Sequence, residues 1–335
     1  MMRFEDKVKW LAGALVLLLL AWGLGEYFSP ERMLARSETS TFLAGKTATE
    51  AADILVKVGA NSVHLVKKGG TWLFMDGADT LPVRPTRVED FLSALARSGR
   101  RRPVAKAADA WKSLGLDDAG AKSLKISDAE GKVLLDLDAG NRGPTGSGVY
   151  VRFAGSNTSY LADADISTWL VADRGSWLDL RVRNKALASD AVQAIAMNAT
   201  VDPSSQAPGS TAKGNKPKPP FAWKFVRDAD GWKGGKATPG TVAVDSTVRA
   251  ALDLEAVDLA ATAPAGAFDK IGATITLTEG NGKTRVIEMG APAGNGRWWV
   301  RVSEDGQVEP LAFQVSAWTL GSIVKDEASF MQKTS

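Results

Sequence analysis

The chain carries few residues that could do nucleophilic or metal-assisted chemistry. It has no cysteine and one histidine, His64, among 335 residues, so thiol nucleophiles, disulfides, iron–sulfur clusters and cysteine zinc sites are excluded. Every mechanism that pairs a nucleophile with histidine would depend on that one residue. His64 lies between Val63 and Leu65 in a strand-like run, where a half-buried structural histidine is the favoured interpretation.

Several short motifs resemble catalytic or binding signatures but lack their partners. Ser322 and Lys325 have the Ser-x-x-Lys spacing of serine acyl enzymes, without the Ser-Asp-Asn and Lys-Thr-Gly motifs that accompany it. The Gly-Lys-Thr triplets at 45–47 and 282–284 lack the upstream glycine of a phosphate-binding loop. Residues 228–231 begin like a calcium loop whose closing glutamate is missing. We therefore expect no catalytic residue, no cofactor and no metal site, and we predict that the protein is not an enzyme.

The composition indicates globular cores with a nearly balanced charge. Hydrophobic residues make up 44% and charged residues 24% of the chain, which excludes a disordered or collagen-like protein, and the length suggests two domains. Forty-one lysines and arginines against 38 acids give a net charge of +3, too small for bulk nucleic-acid binding. Binding or assembly is favoured over chemistry.

One apolar segment has the character of a membrane span. The uncharged run 10–25 follows three basic residues, and with its flanks it reaches the roughly 20 residues that a spanning helix needs. We predict a cytoplasmic N-terminus at 1–9, a transmembrane anchor at 10–28 and a membrane-proximal segment at 29–50, with the rest of the chain periplasmic. A cleaved signal peptide is the competing interpretation, but no suitable small-residue site follows the run. The predicted anchor includes Trp10, Leu17 and Trp22.

The same order of landmarks appears twice along the chain. Residues 67–72 match 227–232, each a hairpin turn that runs into a tryptophan, and a helical pattern follows each at matching spacing. We predict an α+β fold with two tandem related units, 51–184 and 185–330, each an antiparallel-rich β-sheet packed by a main helix. The tract 203–220, rich in proline, serine and lysine, aligns with a tight turn of the first unit. It is therefore predicted to be a disordered insertion in a hairpin of the second unit rather than a linker between domains.

The self-comparison also makes finer predictions. The main helices should begin beside Pro85 and Asp245, and two later strands should end at Gly140 and Gly290. The segment 99–118 has no full counterpart in the second unit. Four tryptophans at equivalent positions are predicted to anchor the two cores: Trp72, Trp169, Trp232 and Trp318.

Two groups of residues are candidate contacts for a partner. Trp298 and Trp299 are adjacent in a predicted strand and must face opposite sides, so one of them could be exposed to a partner or a glycan. Arg100, Arg101 and Arg102 could contact an anionic surface. A solvated loop after a helix is the favoured interpretation of the arginines, and no nucleic-acid partner is expected.

These landmarks together resemble the domain-of-unknown-function 4340 family. The resemblance rests on the anchor, the strand pair ending at 67–72, the helix at 88–92, the turn at 114–117 and the strand at 149–152. It covers most of residues 53–180, with a weaker echo to the end of the second unit. Members of that family are similar in being membrane-anchored extracytoplasmic proteins, often encoded beside ABC transporter genes of the gliding-motility type.

The resemblance implies a non-enzymatic accessory or scaffold subunit of an ABC-transporter-type envelope complex. Its partners would be the membrane, an integral-membrane permease and associated subunits. The alternative function is an envelope binding module for peptidoglycan or polysaccharide, with Trp298 or Trp299 stacking on sugars.

Overall fold

The computed structural model describes residues 41–43, 45–146, 148–163, 166–182, 188–206, 220–235 and 238–331. The predicted anchor at 10–28, with Trp10, Leu17 and Trp22, lies outside these ranges. Within them, no helix is both long and apolar enough to cross a bilayer.

The described residues form strands β1 to β18 and five α-helices. The strands of the first half are β1 Asp53–Val58, β2 Asn61–Lys68, β3 Thr71–Asp76, β4 Asp79–Pro82, β5 Arg100–Ala105, β6 Lys122–Ser127, β7 Val133–Arg142, β8 Val149–Phe153 and β9 Ser159–Ala162. Those of the second half are β10 Val192–Ala199, β11 Phe221–Asp228, β12 Gly231–Lys233, β13 Asp258–Ala260, β14 Ala273–Glu279, β15 Thr284–Gly294, β16 Arg297–Glu304, β17 Gln307–Val308 and β18 Ala312–Ser316. The helices are α1 Gly45–Glu50, α2 Pro85–Arg97, α3 Trp111–Leu114, α4 Thr241–Leu252 and α5 Ala317–Ile323.

The strands form two antiparallel sheets with matching strand orders. The first runs β4-β3-β2-β1-β6-β7-β8-β9-β5, and the second runs β12-β11-β10-β14-β15-β16-β18-β13, with β17 paired to β16. From β3 and β12 at one end to β5 and β13 at the other, each strand of one sheet has a counterpart in the other. The protein is therefore a β-rich α+β protein whose two sheets fit the internal repeat.

Alternation along the strands gives each sheet one buried face. In β1, Ile54 and Val56 are fully buried, whereas Asp53, Leu55 and Lys57 point to the opposite, outward face. Helix α2 buries an apolar stripe at helical spacing, and α4 does the same in the second unit. The cores therefore combine a helix stripe with one sheet face, and the other face is left half-exposed.

Contacts within the described chain divide it into two compact units. The first comprises residues up to Met75 together with Pro85–Asp173, and the second comprises Asp76–Arg84 together with residues from Arg174 onward. In the second unit the backbone N–H of Arg84 donates to the carbonyl of Trp177. The predicted boundary between residues 184 and 185 lies outside the described residues.

The tract 203–220 lies in the connection of a β-hairpin. Strands β10 and β11 pair antiparallel, with Ala199 opposite Phe221, as β1 and β2 do in the first sheet. The tract begins with a single 3-10 turn, Pro203–Gln206. The chain on either side of it therefore belongs to one sheet.

The second main helix begins one turn earlier than predicted. Gly240 precedes α4, whose first residue is Thr241. Asp245 does not cap the helix, because its carboxylate accepts hydrogen bonds from the indole N–H of Trp232, at 2.8 Å, and from the Arg227 guanidinium.

The strands that were expected to end at Gly140 and Gly290 continue beyond them. Each glycine lies where another stretch of backbone passes closely. A Cβ atom would come within 2.3 Å of the Leu114 carbonyl oxygen at Gly140, and within 2.1 Å of the Ala267 oxygen at Gly290. The loop carrying Ala267 makes this close approach in the second unit, so part of the segment 99–118 has a counterpart there.

Two of the four tryptophans predicted as core anchors are buried. Trp72 is 8% and Trp232 is 1% exposed. Trp318 is 68% exposed because the buried stripe of the short helix α5 lies on the other side of that helix. Trp169 is half-buried, with its ring 4.5 Å from the Arg87 guanidinium. The prediction is wrong for Trp318.

Candidate functional site

The outward face of the first sheet brings together polar residues from three neighbouring strands. The pairing of β1 with β2 and β6 places Leu55 between His64 on one side and Lys125 on the other. Two residues earlier on β1, Asp53 lies beside Ser127 of β6. Because alternate residues of a strand share a face, these side chains line one surface.

This surface contains a cleft of about 540 Å³, which we call the charged cleft. It is bounded by the end of β2 and by the turn between β6 and β7, and all of its lining belongs to the first unit. Its charged and titratable lining residues are Asp53, His64, Lys67, Lys68, Lys125 and Asp128.

The two carboxylates of the charged cleft are engaged within the protein. Asp53 Oδ2 lies 2.7 Å from His64 Nε2, with the two side chains 39% and 42% exposed. One oxygen of Asp128 accepts from the backbone N–H of Glu130 at 3.1 Å and of Lys132 at 2.8 Å. These contacts of Asp128 form an Asx-type turn, in which its carboxylate fixes the hairpin between β6 and β7.

The lysines of the charged cleft form no ion pair with a described acid. Among the described side chains, no carboxylate lies within 4.0 Å of the ammonium groups of Lys67, Lys68 or Lys125. Lys67 lies over the ring of Trp72, 5.9 Å from its centroid, while Lys68 and Lys125 are exposed. The cleft therefore presents positive charge to solvent.

The second unit carries a different set of charges at the corresponding positions. The alignment of 67–72 with 227–232 makes Val66 and Val226 equivalent. Val66 pairs with Asp53 and Val226 pairs with Ala194, so Asp53 and Ala194 are also equivalent. The corresponding pairs are Asp53 and Ala194, His64 and Lys224, Lys67 and Arg227, Lys68 and Asp228, Lys125 and Thr276, and Asp128 and Glu279. The same sheet thus forms without a charge at the positions of Asp53 and Lys125 and with the opposite charge at the position of Lys68.

The counterpart turn in the second unit neutralises its own charge. The ammonium group of Lys233 pairs with Asp228 and lies 3.3 Å from Asp230 Oδ2. The hydrogen bond that Lys233 donates to Asp228 raises the pKa of Lys233 and lowers the pKa of Asp228. The first unit has Lys68 where the second has Asp228, so the sign of the charge is reversed at that position.

Both units share an arrangement of arginine, acid and aromatic ring, which we call the arginine clamp. In the first unit, Arg152 lies 2.5 Å from a carboxylate oxygen of Asp138, and its guanidinium lies 3.9 Å from the centroid of the Trp111 ring. The second unit repeats the clamp with Arg301, Glu288 at 2.6 Å and Phe268 at 4.6 Å. Because both copies keep it, the clamp belongs to the architecture of the repeat.

Trp298 and Trp299 are both buried, whereas the sequence left one of them free to be exposed. They are 4% and 9% exposed. The indole N–H of Trp298 donates to the Pro203 carbonyl at 3.4 Å, and Trp299 packs against Ala267 and Ala312. Most of both rings is therefore covered, although Trp298 contributes to the lining of a cleft of about 450 Å³ together with Gly272 and Pro292.

The three predicted contact arginines lie in an edge strand. Arg100, Arg101 and Arg102 begin β5, the last strand at one edge of the first sheet, and not a loop as their favoured interpretation had it. A contact with a partner through their side chains stays a prediction.

The short motifs behave as structural elements in the described chain. The Ser322 hydroxyl donates to the Thr319 carbonyl at 2.7 Å within α5. Asn281 accepts from the Lys283 backbone at 2.9 Å in the β14–β15 turn, and Asp228 lies in the predicted hairpin turn. Within the described ranges, no three histidine or acidic side chains cluster closely enough to hold a metal ion.

Sequence reasoning missed the charged cleft although it considered His64. The missing step was the register of the β1–β2 hairpin, which brings His64 and Asp53 to the same face in adjacent rows. A hairpin closed at Gly59 and Ala60 fixes that register, because a one-residue slip would turn every side chain to the other face. Lys125 could not be found this way, since its partner strand is distant in sequence.

Taken together, the duplicated antiparallel sheets and the cleft on one of them define a two-unit β-rich protein with a copy-specific polar surface. The sequence profile of the family described as domain of unknown function (DUF4340) matches residues 72–270, more than half of the chain. The chain therefore belongs to that family. The match begins in the first unit and ends in the second, so it is not confined to one copy of the repeat. No curated protein and no solved structure shows significant similarity to the chain.

Proposed function

We propose that this protein is a non-enzymatic accessory or scaffold subunit of an ABC-transporter-type envelope complex. The observation that carries the proposal is the charged cleft, in which Lys68 and Lys125 stand where the second unit has Asp228 and Thr276. Charges that the fold does not need for its own formation are available for binding a partner.

The cellular setting of the proposal comes from the sequence. The apolar segment 10–28 supports anchoring in the cytoplasmic membrane, with the two units outside it. The family resemblance supports a transporter as the complex, with the permease and its associated subunits as partners. The arginines at 100–102 are a second candidate contact surface.

A protein partner is favoured over a glycan. The polysaccharide alternative depended on an exposed indole at Trp298 or Trp299, and both are buried. The charged cleft instead offers cations, which suit the recognition of a charged partner.

The proposal is tested by purifying the tagged full chain from detergent-solubilised membranes and identifying the co-purifying proteins by mass spectrometry. We expect the permease and ATPase subunits of one transporter in amounts comparable to the bait. A matched control replaces residues 10–28 with an unrelated spanning segment, and the partners should still be recovered if the outer units make the contact. Retention on cell-wall polymer without transporter subunits would contradict the proposal.

A further inference from the structure

We infer that the charged cleft of the first unit binds an extended acidic segment of the partner protein. This inference rests on the proposed function, because it takes the partner to be a protein. It goes further by naming the chemistry of the segment and the cleft residues that recognise it.

The charge balance of the cleft points to an anionic occupant. Asp53 is paired with His64 and Asp128 is held by the backbone of its own turn. Lys68 and Lys125 are exposed, and no described carboxylate lies within 4.0 Å of their ammonium groups. These hydrogen bonds hold both carboxylates in place, and the three lysines of the cleft outnumber the two carboxylates, so the cleft attracts an anion.

The corresponding turns of the two units differ in charge. Its turn supplies two carboxylates, Asp228 and Asp230, to one lysine. The corresponding positions of the first unit are Lys68 and Gly70. Lys68 therefore stands where the second unit has an acid, and the turn of the first unit brings no carboxylate within 4.0 Å of this lysine.

The spacing of the cations favours a segment over a single small anion. Lys68 on β2 and Lys125 on β6 lie on either side of β1, which separates them by about 10 Å across the sheet. The register also places them four residues apart along the strands, or about 13 Å. About five residues of extended chain span the resulting diagonal at about 3.3 Å each, so such a segment can place a separate carboxylate beside each lysine.

The test measures binding of a fluorescent hexaglutamate peptide to the full-length protein in detergent by fluorescence anisotropy. The variant Lys68→Thr/Lys125→Thr removes both cations, and the threonine at 125 is the residue that the second sheet already carries at that position. We expect it to weaken peptide binding about ten-fold at low salt, with roughly equal contributions from the two lysines. Unchanged circular dichroism and thermal unfolding establish that the variant is folded.

A matched control removes two exposed lysines from the second unit, Lys224→Thr/Lys283→Thr. Equal weakening by this control would overturn the inference, because it would reflect net charge alone. Displacement of the peptide by millimolar inorganic phosphate would overturn it in favour of a small-anion site. Tighter binding to phosphatidylglycerol vesicles that also depends on Lys68 and Lys125 would overturn it in favour of a membrane surface.

The same variant separates this inference from the proposed function. If the wild-type chain and the Lys68→Thr/Lys125→Thr variant both recover the permease and ATPase, the scaffold role stands and the cleft inference fails. If the wild-type chain recovers no transporter subunit, the proposed function fails whatever the peptide does. Loss of both peptide binding and subunit recovery in the variant alone supports both.

Discussion

Arg152 and Arg301 each contact an acid and an aromatic ring at equivalent places in the two sheets. The side chains of Arg152 and Asp138 are 17% and 19% exposed, so solvent screens this pair only partly. Arginine suits the position because its planar guanidinium can stack on a ring while donating to a carboxylate, which lysine does less well.

Removing the arginine of the clamp should destabilise the first unit. In Arg152→Met, Asp138 keeps only the hydrogen bond from the Ser123 hydroxyl, so a half-buried carboxylate loses its counter-charge. We expect the free energy of unfolding to fall by about 2 kcal/mol, measured by urea denaturation. The control Arg97→Met changes an exposed arginine at the end of α2 and should stay within about 0.5 kcal/mol of the wild type. An equal effect of the two substitutions would contradict the structural role of the clamp.

Asp179 should link the stability of the second unit to acid pH. Burial is the largest influence and raises the pKa of Asp179, but hydrogen bonds from Arg181 and the charges of Arg181 and Arg84 outweigh it and lower the pKa. A carboxylate with a lowered pKa stabilises the fold above its unfolded pKa of about 3.9, and this contribution is lost as the pH falls through the folded value.

Asp179→Asn should therefore cost roughly 1 kcal/mol at pH 7, the scale of a partly exposed ion pair, and lose less stability than the wild type on acidification to pH 3. Urea unfolding at the two pH values measures both. A variant whose stability fell as steeply as that of the wild type between these pH values would show that Asp179 makes no contribution.

At this scale the sequence identified residue types better than residue partners. His64 was correctly expected to be a half-buried strand histidine, but its partner Asp53 depends on strand register. For Trp298 and Trp299 the sequence predicts the orientation of the side chains but not their burial. Strand alternation correctly implies that they face opposite sides, but whether a side is covered depends on loops that alternation does not describe.

Strands β7 and β15 are held against a crossing loop by glycine at the same position. Gly140 and Gly290 each approach a backbone carbonyl so closely that a Cβ atom would come within 2.3 and 2.1 Å of it. Glycine inside a strand commonly marks such a close approach of another backbone. The repeat thus conserves a contact between a strand and a loop as well as the order of its strands.

Gly290→Ala should destabilise the second sheet by about 2 to 3 kcal/mol, because the loop carrying Ala267 must move to admit a methyl group. Gly280→Ala is the matched control, since a Cβ there meets only the Gln193 side chain at 3.3 Å. Thermal unfolding of both variants provides the comparison. Similar midpoints for the two would show that the loop contact is dispensable.

The order of elements could be predicted from the sequence, and several of their ends could not. Turn residues and helical spacing recur in both halves, so the duplicated succession of strands and helices followed from local pattern. The start of α4 did not, because Asp245 looks like a cap but serves Trp232 and Arg227 instead. The continuation of β15 past Gly290 depends on a contact with the loop between β13 and β14, which the pattern of β15 itself does not reveal.

At the scale of the whole molecule, the tract 203–220 is the feature on which sequence composition and topology disagree. Composition favours a linker between domains, because such tracts cannot form a core. Topology makes it a hairpin connection, because β10 precedes it, β11 follows it, and the two strands pair. Strand β10 also pairs with β14 on its other side, so the chain before the tract supplies an inner strand to the sheet built by the chain after it.

This arrangement predicts that a chain cut in the tract stays in one piece. A sequence-specific protease site placed within residues 207–219 allows the cut to be made in the folded full-length protein. The fragments should co-elute in size-exclusion chromatography without denaturant, because β10 remains hydrogen-bonded to β11 and β14 across the cut. They should separate only in denaturant, once these pairs and the buried face around Ile195 and Met197 are lost. Clean separation under native conditions would mean that the tract joins two independent domains, and the duplicated second sheet would then have to form without its inner strand.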